Sequence, residues 1–254
     1  MTEFNYSIIV GIVAATAGAV ASVSGFGIGS LLTPLLSQEL GTKLAIVAVS
    51  IPHLLGTAQR FWPLRKEVDK SVLLSFGITS AAGGLAGALA HNWINSPSLT
   101  IIFGSILVFA GLLGASGAGE KLRFDGKIAW IAGALSGVLG GLIGNQGGIR
   151  SAALLGFELN KRAFIATATA IGLIVDCARM PIYFFSNFQQ LITNWQVVVI
   201  AAIGVAIGTF AGGLLLQRID EKLFKRIVSS IILCLGLWIL IQNLSGAPTA
   251  SPNS

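Results

Sequence analysis

Apolar runs long enough to cross a bilayer follow one another along nearly the whole chain. They cover roughly 7–36, 44–59, 71–90, 98–118, 128–157, 163–185, 194–216 and 227–243. A crossing helix takes about 20 apolar residues, so most runs supply one crossing each. Runs 7–36 and 128–157 are too long for that, at about 30 residues each. Both are interrupted by glycine-rich stretches, SGFGIGS at 24–30 and GNQGG at 144–148. Only 10% of the chain is charged, where a soluble domain carries about a quarter. The pattern predicts an all-α polytopic membrane protein made of a single integral membrane domain. The N-terminal MTEFNYS has no basic region and no cleavage site, so it reads as retained rather than as a signal peptide.

The net charge of +6 sits in short connections between apolar runs, which excludes a nucleic-acid footprint and points to orientation in the membrane. The connection 60–70 holds Arg60, Arg65, Lys66 and Lys70; 119–127 holds Lys121, Arg123 and Lys127; 158–162 holds Lys161 and Arg162; 217–226 holds Arg218, Lys222, Lys225 and Arg226. The connections 91–98 and 186–195 and the C-terminal tail have no Lys or Arg, leaving only Lys43 against the trend. Eight full crossings would put basic connections on both sides. If 7–36 and 128–157 instead dip in and return as broken, re-entrant hairpins, all four basic connections fall on the cytoplasmic side. Both termini then lie outside, with Trp93 and Trp195 at the outer interface and Trp62 and Trp130 at the inner one.

That arrangement divides the chain into two oppositely oriented halves, the inverted-repeat plan of secondary transporters. The first repeat, 1–118, has hairpin 7–36 and helices 44–59, 71–90 and 98–118. The second, 119–254, has hairpin 128–157 and helices 163–185, 194–216 and 227–243. Internal matches support the division. An offset of 119 (144 − 25) pairs Gly25 with Gly144, Gly18 with Gly137, Gly29 with Gly148, Leu35–Leu36 with Leu154–Leu155 and Arg60 with Arg179. Later an offset of 125 (212 − 87) pairs Gly83 with Gly208, Gly87 with Gly212, Ser105–Ile106 with Ser230–Ile231 and Gly111–Leu112 with Gly236–Leu237.

Non-helical backbone at membrane depth is tolerated only inside protein or along a wet cavity. After each break a short helix begins, near residues 28 and 148, and its first N–H groups present partial positive charge. Two such N-termini meeting near the midplane make an anion site. The substrate-binding candidates are Gly25, Gly27, Gly29, Ser30, Asn145, Gln146, Gly147, Gly148 and Arg150, with Arg179 as a further ligand. Arg150 stands out because an arginine at membrane depth costs about 2.5–3.5 kcal/mol on insertion scales, while its planar fork matches oxyanions. A structural ion pair with Glu158 or Asp176 is the alternative. Asp176 and Arg179 lie three residues apart on one helix face, either as a structural pair or with Asp176 taking a coupling proton. His53, beside Pro52, is a second proton candidate or a satisfied buried histidine. Arg60 reads as an anchor at a segment end, and Gly83, Gly87, Gly208 and Gly212 as helix-packing positions. Cys177 and Cys234 read as small apolar packing residues, without metal spacing.

No Walker loop, GxSxG or HExxH occurs, so no enzyme, metal or cofactor is expected. Expected partners are a small anionic substrate and the lipid bilayer, with no nucleic acid. The glycine-rich faces could also pack two copies as a homodimer.

Three stretches, SGFGIGSLLTPLL, LRKEVDKSVLLSFGITSAAGGLAGALA and IGTFAGGLLLQRIDEKLFKRIVSSIILCLGLWIL, together resemble the sulfite exporter TauE/SafE family over nearly the whole chain. The second hairpin departs from the family's plain form: Ala153 stands where Pro34 stands in the first half, and Arg150 is added. It resembles a variant branch. The resemblance implies secondary transport of small sulfur-containing or organic anions, such as sulfite, thiosulfate or organosulfonates, and an inner or plasma membrane location. With the residues it suggests alternating access around a site at the paired half-helices. A passive anion channel and a membrane scaffold without transport are the alternatives.

Overall fold

A computed structural model describes residues 3–90, 97–116, 126–143 and 146–244. Among them every regular element is helical. In chain order they are α1 (Glu3–Ser24), α2 (Ile28–Leu40), α3 (Thr42–Leu64), a 3-10 turn (Arg65–Glu67), α4 (Lys70–Val72), a π turn (Leu73–Gly77), α5 (Ile78–Ala90), α6 (Pro97–Ala115), α7 (Gly126–Ile143), α8 (Gln146–Leu154), α9 (Lys161–Thr193), α10 (Trp195–Arg218) and α11 (Glu221–Leu244). Four stretches among the described residues are long and apolar enough to cross a membrane: Asn5–Ser24, Leu44–Glu67, Trp195–Arg218 and Lys222–Gln242. The chain is an all-α polytopic membrane protein.

The first long run breaks where glycine permits it. Gly25 and Gly27 have φ of 82° and 135°, backbone that a side chain disfavours. Ser24 fixes the break, its Oγ lying within hydrogen-bond distance of both the Val20 carbonyl (2.9 Å) and the Phe26 carbonyl (2.7 Å) and sharing its one proton between them. Beyond it α2 runs back along α3, and a Cβ at Gly56 of α3 would lie 2.9 Å from Ile28 Cδ1 at the start of α2. In the second long run α7 stops at Ile143 and α8 starts at Gln146. Gly144 and Asn145 lie outside the described residues.

Small residues let backbones meet, as membrane helices require without a hydrophobic drive between them. A Cβ at Gly208 of α10 would fall inside contact distance of the Ala15 carbonyl, and one at Gly212 would lie 2.5 Å from the Ala19 carbonyl; one at Gly18 would strike α10 at Val205 and Thr209. The rising register makes α1 and α10 parallel. On α5 a Cβ at Gly83 would lie 2.6 Å from the Ala134 carbonyl, and one at Gly137 would strike Ser80 and Gly84, so α5 and α7 are parallel too. Helices α6 and α11 pack antiparallel, with Gly104 against Leu240 and Gly236 and with Gly111 against Leu233. The packing roles expected of Gly83, Gly208 and Gly212 are those observed.

Three basic connections are tied together at one end of the bundle. Arg162 Nε lies 3.4 Å from Glu67 Oε1, the Asp69 amide donates to Thr167 Oγ1 (3.0 Å), and Lys161 Nζ donates to the Ile219 carbonyl. Lys127, from the fourth, opens α7 at that same end because α7 runs parallel to α5. Side-chain caps start the helices there: Asp69 for Val72, Asn160 for Ala163 and Asp220 for Leu223. The flanks of the bundle are apolar and open, with Ile12, Phe109, Ile207, Phe210 and Ile241 among the most exposed side chains. Trp62, Trp130 and Trp195 are exposed as well, while Trp93 lies outside the described residues. Cys177 and Cys234 are free and exposed, which corrects their reading as packing residues. A lipid-facing position and a core position are both apolar, so apolarity could not separate them.

Candidate functional site

One face of α9, carrying Phe164, Ala168, Gly172 and Asp176 at four-residue spacing, collects the break after α1 and residues of α8. Gly25 packs on it: a Cβ there would lie 3.2 Å from Ala168 Cβ, 3.4 Å from Phe164 and 3.5 Å from Ser151 Oγ. Ser151 Oγ in turn donates to the Ser24 carbonyl at 3.3 Å. A Cβ at Gly147, in the first turn of α8, would lie 2.7 Å from Phe26 Cβ. The break after α1 and the start of α8 are therefore in direct contact. The start of α2 has no side-chain cap.

One turn along α9 from Ala168, about 6 Å at 1.5 Å per residue, lies the Arg150 guanidinium. Its Nη2 and Nη1 would be 3.5 and 3.7 Å from a Cβ at Gly172. Glycine there leaves a flat seat for the fork, and Arg150 is buried. Thr57 of α3 touches the same seat, its Cγ2 3.4 Å from that point.

A further turn along, Asp176 Oδ2 lies 2.6 Å from His53 Nδ1. Asp176 is 4% exposed and His53 21%, so the acid is enclosed while the imidazole keeps an opening. The pair joins α3 to α9, which run antiparallel. The ion-pair readings of Asp176 point to Arg179 on its own helix and to Arg150, whereas this partner comes from another helix 123 positions away.

The structure thus brings Gly25, Gly147, Arg150, Asp176 and His53 to one strip of α9. Gly27 is buried against Val20 of its own hairpin. Gly148 faces away, toward Leu235 and Leu107, which is a packing position. Gly29 faces open space and Ser30 is half-buried. Asn145 and the side chains of Gln146 and Arg179 lie outside the described residues.

Arg60 is the correction. It is not an exposed anchor but 6% exposed, with Nη2 donating to Thr57 Oγ1 at 3.1 Å. The signal was available in the sequence: His53, Thr57 and Arg60 stand at i, i+4 and i+7, one face of a helix.

A family model described as Sulfite exporter TauE/SafE matches residues 10–239, most of the chain. No curated protein and no solved structure matches it.

Proposed function

The chain belongs to the sulfite exporter TauE/SafE family, and on that premise we propose that it is a secondary transporter of small sulfur-containing or organic anions, working by alternating access. Sulfite, thiosulfate and organosulfonates are the substrate class. One observation carries the reading: the break after α1 and the first turns of α8 touch each other beside a buried arginine and a carboxylate–imidazole pair. Backbone N–H groups and the Arg150 fork supply the oxyanion contacts. A neutral pore has no use for such charges inside a membrane, since each is costly there.

The reading takes the halves 1–118 and 119–254 as inverted repeats. Reciprocal contacts support it. Gly208 meets Ala15 as Gly83 meets Ala134, and the offsets found in the sequence relate the two contacts (15 + 119 = 134; 83 + 125 = 208). Gly18 meets Val205 and Thr209 as Gly137 meets Ser80 and Gly84 (205 − 125 = 80; 209 − 125 = 84).

The basic end is assigned to the cytoplasm and both termini to the outer face of an inner or plasma membrane. Single cysteines replacing Lys66, Lys127 and Lys222, in a Cys177→Ser, Cys234→Ser background, are expected to react with an impermeant maleimide only in inside-out vesicles. One replacing Gln189 is expected to react only in right-side-out vesicles. Any basic-connection cysteine reacting from the outside overturns the orientation.

The His53–Asp176 pair is assigned to proton coupling. In proteoliposomes, labelled sulfite should show saturable uptake and counterflow; linear flux without counterflow would indicate a channel, and no flux a scaffold. The Asp176→Asn protein, which keeps a hydrogen-bonding group but not the charge, is expected to retain counterflow and lose accumulation driven by a proton gradient. Accumulation at the wild-type level would make the pair structural.

A further inference from the structure

We propose that Arg60 is a second ligand of the transported anion, facing it together with Arg150, and that this pair makes the site selective for doubly charged oxyanions. The inference rests on the reading of the site as a carrier's anion site and adds to it a residue and a charge.

Arg60 is buried to the degree of a core residue, yet its fork is largely unused. Among the described residues, only Nη2 of its three nitrogens has a partner, Thr57 Oγ1. Nε and Nη1 are both buried and have no hydrogen-bond partner among the described residues. A guanidinium carries five donors and cannot shed its proton, and buried charge without partners is what folded proteins avoid. Open donors on a buried fork are what a ligand of matching geometry would occupy.

The surroundings say which ligand. The Arg150 fork lies against the Gly172 seat that Thr57 touches, and Asp176 stands one turn further along α9. Asp176 is engaged by His53 at 2.6 Å, so the nearby carboxylate is already shared. Thr57 ties the two arginines to one place, bonding Arg60 through its hydroxyl while its methyl touches the Gly172 seat on which Arg150 lies. Two arginines and one aspartate leave one positive charge with His53 neutral, and two with His53 protonated. A dianion bound with one proton on the pair leaves the site neutral. A monoanion balances the site only when the pair carries no proton, and the attraction of the two guanidinium groups then acts on one charge instead of two.

The experiment is direct binding to the purified full-length chain, with thiosulfate as the divalent probe and methanesulfonate as the monovalent one. Wild type is expected to bind thiosulfate at least about tenfold more tightly. Arg60→Gln is expected to lose about tenfold or more in thiosulfate affinity and distinctly less in methanesulfonate affinity, so that the preference narrows. Arg60→Lys, which keeps the charge without the fork, and Thr57→Val, which unseats Nη2, should each weaken thiosulfate binding by about threefold or more, and they carry the test if Arg60→Gln does not fold. Equal affinity of wild type for the two probes overturns the selectivity, and wild-type thiosulfate affinity in folded Arg60 variants overturns the ligand role. If Arg150→Ala loses binding while the Arg60 variants keep it, only this inference fails. If wild type binds neither probe, or Arg150→Ala binds as wild type does, the reading of the site itself fails with it.

Discussion

Arg150→Ala is expected to lower anion affinity by at least about 100-fold. The guanidinium lies buried on the Gly172 seat, where the proposed function has it give two parallel donors to the bound oxyanion. Hydrogen bonds to a charged group contribute about 1.5–3 kcal/mol each, and two of them exceed the roughly 2.7 kcal/mol that a hundredfold change represents. Lysine at this position keeps the charge but supplies a point donor in place of a planar fork, so Arg150→Lys should fall between, about tenfold weaker than wild type. The measurement is the rise in melting temperature with added sulfite or a sulfonate, since a ligand of the folded state stabilises by mass action. The unliganded melting of each variant shows whether it folds. If wild type and Arg150→Ala shift equally, Arg150 is a structural charge and the anion binds elsewhere.

The second large effect is on folding. Gly208→Ala adds one carbon, and that carbon falls inside contact distance of the Ala15 carbonyl on the facing helix. Neither backbone can yield without opening the α1–α10 seam, where Gly18, Gly204 and Gly212 make similar close approaches. Overpacking commonly costs about 1–3 kcal/mol even when only side chains must move, so a backbone collision should exceed about 3 kcal/mol. The expected result is a large drop in melting temperature, or loss of the monodisperse peak in size-exclusion chromatography. Gly213→Ala is the control: nothing lies within 4 Å of its Cβ position, and alanine gains up to about 1 kcal/mol of helix propensity. Gly208→Ala melting together with wild type would mean that the helices do not meet there.

What the sequence disclosed follows from what a bilayer makes visible. The two breaks could be read because a run of about 30 apolar residues is too long for one crossing and glycine shows where it turns. Arg150, Asp176 and His53 stood out because charge is rare in such runs. Their assembly could not be read in the same way. His53 and Asp176 meet across 123 positions, and nothing on either helix alone names the other. Arg60 was misread because, by position, a buried arginine near the end of a span and a snorkelling anchor look alike. Only its helical spacing from His53 and Thr57 separates them. The cysteines show the opposite limit, for in lipid an outward face is as apolar as a core.

The reciprocal glycine seams also set a timetable for biosynthesis. Ser80 and Gly137 are 57 positions apart (137 − 80), so the α5–α7 seam can close soon after α7 leaves the ribosome. Gly18 must wait for Thr209, 191 positions later (209 − 18). At about 5–20 residues per second, α1 spends roughly 10–40 s in the bilayer with its small-residue stripe uncovered. The first helix made is among the last to find this partner, and lipid covers its small-residue stripe until α10 arrives.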